Sequence, residues 1–241
     1  WDTHMVIYDN DELHAAYSTN NNKVMYMNYD GLSWSWHQIS STANVGPVGI
    51  AVDSNNYPHI SYVASGQHCG NGLVLASYDG TDWSTQVVES GSNRGCNSAI
   101  IINENDHINI AFQNRDQSKL IFATDQSGSW QNYAVDGASN PSSMYPGYFS
   151  SMAMDQDGRF HIAHYDDKND NLRYSTGFPN GQWTTILVDS NGNTGRNPSI
   201  AIDFAGNPHI VYQTWNGFNL KYATLEGDIA EPDWKVSTIA S

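Results

Sequence analysis

Aspartate and histidine recur six residues apart, and a carboxylate beside an imidazole is a pair that can bind a metal or act as a general base. At the equivalent place near the middle of the chain both members change together, to Asn103 and Asn109, which could still hydrogen-bond to each other without charge. A repeated pair whose members change together is typical of a structural hydrogen bond. We therefore favour a structural role over a metal or catalytic role for the three pairs, Asp53/His59, Asp155/His161 and Asp203/His209.

These pairs belong to a longer repeat that fills the 241 residues. Each copy has four short segments rich in Ile, Val, Tyr and Trp, separated by turns such as Asp79-Gly80 and Asp157-Gly158. No segment carries a helical apolar period, so we expect strands and no helices. The first segment of each copy is almost wholly apolar, which predicts a strand covered on both faces. The fourth segment opens on a tryptophan in every copy, at Trp34, Trp83, Trp130, Trp183 and Trp234.

Five copies of about 48 residues, each with four strands, match the size and strand count of β-propeller blades. We predict an all-β protein, a five-bladed β-propeller with four antiparallel strands per blade, in a single domain over residues 1–241. A pair of β-sandwiches is the alternative, and neither half of the sequence is a distinct unit of that kind. We expect the repeated tryptophans to pack between blades rather than to stack on sugars. The predicted blades are approximately 1–42, 43–92, 93–140, 141–192 and 193–241.

The repeat resembles those of sialidase-like and tachylectin-like propellers, especially bacterial and archaeal surface repeats of the form Asp-x-x-Gly-Asn-Pro-His-Ile-x-Tyr. Asp203-Phe-Ala-Gly-Asn-Pro-His-Ile-Val-Tyr212 carries this pattern. Ser77-Tyr-Asp-Gly-Thr-Asp-Trp83 is similar to the Asp-box turn of sialidases, although its Asp-to-Gly spacing is one residue short. The resemblance implies the propeller architecture and no particular activity. The three arginines and the Tyr-Glu pair of sialidase chemistry have no matching local motif.

Residues that break the repeat are the better candidates for ligand contact. The connections between blades, and between the second and third strands of a blade, fall on one face of the predicted propeller, at the mouth of its central channel. His164 stands out because the other four blades carry an aromatic residue at that position. Gly46 and His68 fall on the same face. The predicted ligand-binding residues are Trp1, Arg94, Arg115, Tyr148, His164, Arg196 and Trp215.

Guanidinium groups beside aromatic rings suit a sugar that carries a carboxylate or sulfate. We therefore predict a lectin-like, carbohydrate-binding protein. An enzyme that degrades an acidic polysaccharide is the alternative, and a lyase would use His164 or Tyr148 as the base and Arg196 to stabilise the enolate. A glycosidase is less favoured, because it needs two carboxylates about 5–10 Å apart that the sequence does not place. A structural or adhesion module is a further alternative, and ordinary loop variation would also explain these residues.

The net charge limits the classes of molecule that the protein can bind. Ten Lys and Arg residues against 25 Asp and Glu residues give −15, which excludes nucleic acid and anionic membrane surfaces as general partners. No apolar stretch is long enough to insert into a membrane. Few charges with many Asn, Ser, Gly and Tyr residues are typical of secreted or cell-surface β proteins, so we expect a monomer there that binds a glycan or acidic polysaccharide. No signal peptide is visible, and we expect Trp1 to follow a processed or trimmed end.

The two cysteines, Cys69 and Cys96, fall at adjacent positions of the same predicted face. We predict a disulfide between them, with two unlinked thiols as the alternative. The segment Asp166-Asp-Lys-Asn-Asp-Asn171 alternates oxygen ligands in a way that suits Ca²⁺, but it lacks the glycine and the terminal Glu of an EF-hand loop. We predict no cofactor, with Ca²⁺ at this acidic loop as the alternative.

Overall fold

The computed structural model describes residues 3–8, 11–41, 47–64, 69–137, 145–227 and 229–241. These residues form 20 strands in five four-stranded antiparallel sheets, which confirms the predicted all-β class and the predicted strands. The described part of the chain contains no helix, and therefore no helix that could cross a membrane. In every sheet the strands lie side by side in chain order. We number the sheets in chain order as well.

The first sheet contains β1 (Thr3–Ile7), β2 (Leu13–Ser18), β3 (Val24–Tyr29) and β4 (Trp34–Ser40). The second contains β5 (Gly49–Val52), β6 (Pro58–Val63), β7 (Gly72–Tyr78) and β8 (Trp83–Ser90). The third contains β9 (Arg94–Ile102), β10 (Ile108–Asn114), β11 (Lys119–Thr124) and β12 (Gln131–Asp136). The fourth contains β13 (Tyr148–Met154), β14 (Phe160–Asp166), β15 (Asn171–Gly177) and β16 (Trp183–Asp189). The fifth contains β17 (Thr194–Ile202), β18 (Pro208–Thr214), β19 (Leu220–Glu226) and β20 (Asp233–Ala240).

The chain divides into two compact units, one formed by residues 1–116 and 123–131 and the other by residues 117–122 and 132–241. In the first unit the core between the first two sheets is apolar and includes Ala16, Val24, Ile50, Ile60 and Tyr62. In the second unit the fourth and fifth sheets enclose a core that includes Leu172, Tyr174, Ile200, Ile210 and Tyr212. Each core removes large aliphatic and aromatic side chains from water, which is the main favourable term in folding.

Burial is greatest on the second strand of a sheet. Every residue of β10 and of β14 is buried, and most of β6 is buried as well. The prediction that the first strand of each copy is covered on both faces holds for β5 but is wrong for β1, and it is also wrong for β17, where alternate residues are exposed. Within the first unit, strand β5 is covered by the neighbouring first strands on both sides, β1 and β9. Strand β1 is covered there by a neighbouring first strand on one side, β5. Met5 and Ile7 on β1 are consequently 57% and 61% exposed.

Three of the five repeated tryptophans pack against aromatic rings of the preceding sheet, as predicted, whereas Trp34 lies against Tyr29 of its own sheet. The ring centroids of Tyr174 and Trp234 lie 5.2 Å apart in an edge-to-face arrangement. The same contact recurs between Tyr26 and Trp83 at 5.2 Å, and a tilted version joins Phe122 to Trp183 at 4.9 Å. Aromatic pairs of this geometry stabilise a core beyond the area that they bury.

A disulfide joins Cys69 to Cys96, which confirms the predicted pairing. The two Cα atoms lie 4.6 Å apart and the bond closes a segment of 27 residues in the first unit. Cys96 lies on β9 with no exposed surface, and Cys69 precedes β7. The bond therefore ties the loop between β6 and β7 to the first strand of the third sheet.

Candidate functional site

The repeated histidines hold their hairpins together. His161 on β14 hydrogen-bonds through Nε2 to Oδ2 of Asp155 at 3.1 Å, and through Nδ1 to the Tyr174 hydroxyl at 2.5 Å. The other carboxylate oxygen of Asp155 accepts the backbone N–H of Arg159 at 2.9 Å, in a turn where Gly158 adopts a φ of 75°. The equivalent His–Asp distances are 3.4 Å for His59 and Asp53 and 3.2 Å for His209 and Asp203. The predicted structural pairs are confirmed.

The asparagine version of this pair does not form as predicted. The Asn109 side chain donates to the backbone carbonyl of His107 at 2.8 Å instead of to Asn103. The Oδ1 of Asn103 accepts the backbone N–H groups of Asn105 and His107. Both amides are therefore used by nearby backbone groups, which a short side chain reaches more easily than the opposite strand.

The predicted ligand-binding residues fall into both units. Arg94 and Arg115 belong to the first unit, and Tyr148, His164, Arg196 and Trp215 belong to the second. Trp1, Gly46 and His68 lie outside the described residues. The grouping of Arg94 and Arg115 with the other four stays a prediction.

In the second unit Arg196 lies between two aromatic rings. Its guanidinium carbon is 4.2 Å from the centroid of Trp215 and 5.4 Å from that of Tyr165. Trp215 is 52% exposed, so one side of this cluster is open to water. Tyr148 on β13 is the cross-strand partner of Tyr165 on β14, which brings a second phenol to the same place. The structure thus brings Arg196 into contact with Trp215, and it links Tyr148 to them through the cross-strand pairing with Tyr165.

Arg196 has no counter-ion among the described residues, unlike Arg94, Arg173, Lys221 and Lys235. No carboxylate of the described residues forms an ion pair with it, and its buried Nε has no hydrogen-bond partner among them. By contrast, Arg94 donates to Glu89 at 2.5 Å and to the Ser90 carbonyl at 3.0 Å. Lys221 is likewise paired with Asp189 at 2.6 Å. A half-buried guanidinium without an anion is suited to bind one.

Tyr165 is held in place by its hydroxyl, which donates to Asp170 and lies 3.1 Å from Oδ1 of Asn193. Burial, followed by the hydrogen bond to Asp170, raises the pKa of Tyr165 far above its ordinary value, against a smaller opposing effect of Arg196. The ring therefore stays a neutral phenol and presents its face to the guanidinium. This arrangement positions Arg196. Because the phenol stays protonated, Tyr165 does not act as a base at neutral pH.

His164 is completely buried and both of its nitrogens are occupied. Its Nδ1 accepts the backbone N–H of Gly147 at 3.3 Å, and its Nε2 lies 3.0 Å from Oγ of Ser175. The carboxylate of Asp136 lies 3.6 Å from the same Nε2 and pairs with Arg173 at 2.6 Å. Burial lowers the pKa of His164 to about 4, against a smaller opposing effect of Asp136. These contacts make His164 part of the packing, and its predicted ligand and catalytic roles stay untested.

The remaining predicted features are Arg115 and the acidic loop, and each makes hydrogen bonds to nearby backbone groups. Arg115 is exposed, and its backbone N–H donates to the Asn93 carbonyl at 2.9 Å. In the acidic loop Asp166 is buried and accepts the backbone N–H groups of Tyr145 and Lys168, so its carboxylate stabilises the loop. Among the described residues no three carboxylates, histidines or cysteines come close enough to hold a metal ion. Calcium binding at this loop stays an untested alternative.

A groove that the sequence did not predict lies between the first and second sheets, within the first unit. Its volume is about 580 Å³, and its walls are largely aromatic. One of its residues departs from the repeat, because the residue two places after the repeated tryptophan is Trp36 here and Thr85, Asn132, Thr185 or Val236 elsewhere. That departure was visible in the sequence. The residues that line the groove include His14, Trp36, His37, Asn56, Tyr78 and Trp83.

Comparisons with known proteins support the fold. No protein family and no curated protein matches the sequence. Among solved structures, the chain is similar to the fucose-binding lectin of Aleuria aurantia, a six-bladed β-propeller, with a TM-score of 0.64 and 15% identity over 99% of this chain and 78% of the lectin. It is also similar to an ulvan lyase of polysaccharide lyase family PL25, with a TM-score of 0.67 and 13% identity over 95% of this chain and 69% of the lyase.

A thermostable family-43 glycoside hydrolase is a third similar structure, with a TM-score of 0.60 and 10% identity over 100% of this chain and 94% of the hydrolase. At these identities the likeness shows the fold, and activity must be argued from the site. Five four-stranded sheets and this likeness support a β-propeller, and the number of blades stays a prediction.

Proposed function

We propose that residues 1–241 form one five-bladed β-propeller domain that binds carbohydrate as a secreted or cell-surface monomer, without a cofactor. The blades are those that the repeat predicts. The ligand-binding site is centred on Arg196 and Trp215, at the mouth of the central channel in the predicted arrangement, where Trp1, Arg94 and Arg115 are also expected. The ligand is a glycan that carries a carboxylate or a sulfate.

The observation that carries this proposal is the position of Arg196 between Trp215 and Tyr165 without a carboxylate partner. In a chain with a net charge of −15, an arginine that pairs with no carboxylate of the described residues is available to an external anion. The half-exposed indole of Trp215 adds an apolar surface for the face of a sugar ring. Charge and stacking at one place select an acidic sugar over a simple anion.

The similar structures support a glycan as the ligand. The Aleuria aurantia lectin was solved in complex with α-methyl-L-fucoside, and the ulvan lyase was solved bound to -[GlcA(1-4)Rha3S]-. The second of these ligands carries both a carboxylate and a sulfate. This is the ligand chemistry that the Arg196 cluster favours.

Binding of a uronate-containing, sulfated polysaccharide such as ulvan tests the proposal. Arg196→Ala should weaken binding at least tenfold, because a hydrogen bond to a charged group contributes about 1.5–3 kcal/mol. Arg196→Lys should weaken it less, since the charge stays but the planar fork is lost. Arg159→Ala is the matched control, because Arg159 also stacks on an aromatic ring, 4.4 Å from the centroid of Phe178. Equal affinities for Arg196→Ala and Arg159→Ala, measured by calorimetry, would refute the proposal.

A lyase acting on the same acidic glycan is the second candidate, favoured by one observation. Tyr148 is paired across strands with the tyrosine that supports Arg196, so a phenol and a guanidinium lie in one cluster, as proton abstraction beside a carboxylate requires. If the protein is a lyase, incubation with ulvan should raise the ultraviolet absorbance as unsaturated uronate ends form. Tyr148→Phe should then abolish turnover and leave binding intact. Absence of turnover by the wild-type protein removes this candidate.

A further inference from the structure

We propose that the groove between the first and second sheets is a second sugar-binding site, which takes an uncharged saccharide residue. The groove lies wholly in the first unit, whereas the Arg196 cluster lies in the second. Its volume of about 580 Å³ is in the range of small-molecule sites in proteins. Its lining and its hydrogen-bonding groups differ from those of the Arg196 cluster, so the two sites select different ligands.

The first argument is a histidine that has lost its partner. Tyr8 stands at the repeat position that Asp53, Asp155 and Asp203 occupy in other sheets, and its hydroxyl donates to the Ser54 carbonyl at 2.8 Å. His14 therefore lacks the aspartate that binds Nε2 of the other repeat histidines. Its Nε2 is buried and has no hydrogen-bond partner among the described residues.

The histidine is nevertheless held rigidly. Its Nδ1 lies 2.6 Å from the Tyr26 hydroxyl, and burial raises the pKa of that phenol well above its ordinary value. Burial also lowers the pKa of His14, against smaller opposing effects of Asn56 and Glu12, so the imidazole is neutral at neutral pH. In either tautomer Nε2 offers one hydrogen bond to a group in the groove.

Asn56 supplies a second polar group, close enough to His14 that its side chain opposes the lowering of the imidazole pKa. Its Nδ2 donates to the Glu12 carboxylate, which fixes the orientation of the amide. Its Oδ1 is buried and lacks a partner within the described part of the chain. Buried polar atoms are costly to leave unpaired, and hydroxyl groups of a ligand can both donate to Oδ1 and pair with Nε2. A sugar carries such hydroxyls on neighbouring carbons.

The walls of the groove provide stacking surfaces. Trp36 is 71% exposed although it lies on strand β4, so most of its indole is open to a ligand. His37 stacks on Trp83 with ring centroids 6.1 Å apart and an interplanar angle of 20°. Tyr78 lies against the same indole at 5.5 Å. Hydroxyl-directed hydrogen bonds beside aromatic faces match a saccharide, which has polar edges and apolar C–H faces.

The charge of the groove selects among sugars. Its lining includes the carboxylates of Glu12 and Asp82 and no lysine or arginine. A uronate or a sulfated sugar would be repelled there, because no cation compensates its charge. The expected ligand is therefore an uncharged hexose, deoxyhexose or N-acetylhexosamine at the end of a glycan.

An array of uncharged glycans ending in galactose, fucose, mannose, glucose or N-acetylglucosamine tests this site with the intact protein at neutral pH. We expect at least one to be retained, and Trp36→Ala to lower its affinity at least tenfold. Trp34→Ala is the matched control, because Trp34 is also exposed on β4 but stacks on Tyr29, away from the groove. Arg196→Ala should leave this affinity unchanged, which separates the two sites.

His14 provides a second readout that does not depend on stacking. The retained glycan should shift the NMR resonance of the His14 Nε2 and leave that of His209, whose Nε2 is bound to Asp203, unchanged. Retention of no uncharged glycan by the wild-type protein would overturn the proposal. So would equal affinity for Trp36→Ala and Trp34→Ala, or an unshifted His14 resonance. Folding of the Trp36 variant can be checked by circular dichroism, since the exposed side chain supports no core.

Discussion

Single side chains in this protein do two kinds of work. The aspartates of the repeat cap a turn with one oxygen and orient a histidine with the other, as Asp203 does for Asn207 and His209. Hydrogen bonds from the side chain and the backbone of Asn207, with a smaller one from His209, depress the pKa of Asp203 far below its ordinary value. Arg196 and His14 have the opposite character, since each carries a buried nitrogen without a partner among the described residues. Satisfied groups hold the sheets, and an unsatisfied group beside a groove or an exposed aromatic ring is a candidate for ligand contact.

Residue spacing predicted some of these side-chain hydrogen bonds. The interval of six residues between Asp155 and His161 gave the correct hydrogen bond, because both ends of one hairpin are fixed by the turn. The predicted partner of Asn109 was wrong, because its side chain donates to the nearby backbone carbonyl of His107 instead. The burial of His164 could not be predicted either, because the sequence pattern around a histidine in a strand is the same whether its side chain faces Asp136 or solvent.

His164 should make the fold sensitive to acid. Its pKa is lowered from 6.5 to about 4 by burial, so the unfolded chain binds a proton at higher pH than the folded chain. This contribution to stability is present above pH 6.5 and decreases as the pH falls towards 4, by about 2 kcal/mol at pH 5. In His164→Phe the loss of unfolding free energy between pH 7 and pH 5 should be smaller by that amount. Urea titrations at the two pH values measure it.

The control for this experiment is Phe112→Leu, which changes the equivalent buried aromatic position of the third sheet without changing a titrating group. It should lower stability equally at both pH values. A His164→Phe variant with the wild-type difference between pH 7 and pH 5 would contradict the assignment.

At the scale of strands and sheets, apolar periodicity and turn residues predicted the 20 strands because each hairpin is local. The exposure of β1 was not predicted, since a neighbouring sheet and not the strand's own sequence decides which faces are covered. The contact between a tyrosine or phenylalanine of one sheet and a tryptophan of the next was predicted in kind. Its residue-by-residue register required the structure.

The contact between Tyr174 and Trp234 should stabilise the second unit measurably. Trp234→Ala should lower the unfolding free energy by about 2–4 kcal/mol, somewhat less than for a fully buried tryptophan because Trp234 is half-buried. A double-mutant cycle with Tyr174→Ala should give a coupling of about 0.5–1.5 kcal/mol. Trp34→Ala, at the same repeat position but half-exposed, should cost less than Trp234→Ala. Equal losses of unfolding free energy in the two variants would show that the contact between Tyr174 and Trp234 is not what stabilises the unit.

The disulfide should stabilise the first unit by restricting the unfolded chain. Closing 27 residues corresponds to about 3–4 kcal/mol in the chain-entropy treatment. The double variant Cys69→Ala, Cys96→Ala should lose this amount in urea unfolding. Added reductant should lower the stability of the wild-type protein and leave that of the double variant unchanged. A wild-type protein that is insensitive to reductant under unfolding conditions would contradict this expectation.

For the whole molecule, composition predicted an acidic β protein, and the repeat predicted five groups of four strands. Neither could predict the groove, because its walls come from two sheets: Trp36 belongs to the first and Trp83 to the second. The Arg196 cluster likewise joins Arg196 on β17 to Tyr165 on β14. Ligand sites of this kind depend on how sheets meet, which is the least local property of a repeat protein.

Probing an array of acidic and uncharged glycans with the intact wild-type protein at neutral pH tests the central claim most directly. We predict retention of at least one glycan that carries a uronate or a sulfate, with that signal lost in Arg196→Ala and kept in Arg159→Ala. An array on which the wild-type protein retains no acidic glycan would contradict the claim that this β-propeller recognises acidic carbohydrate through Arg196.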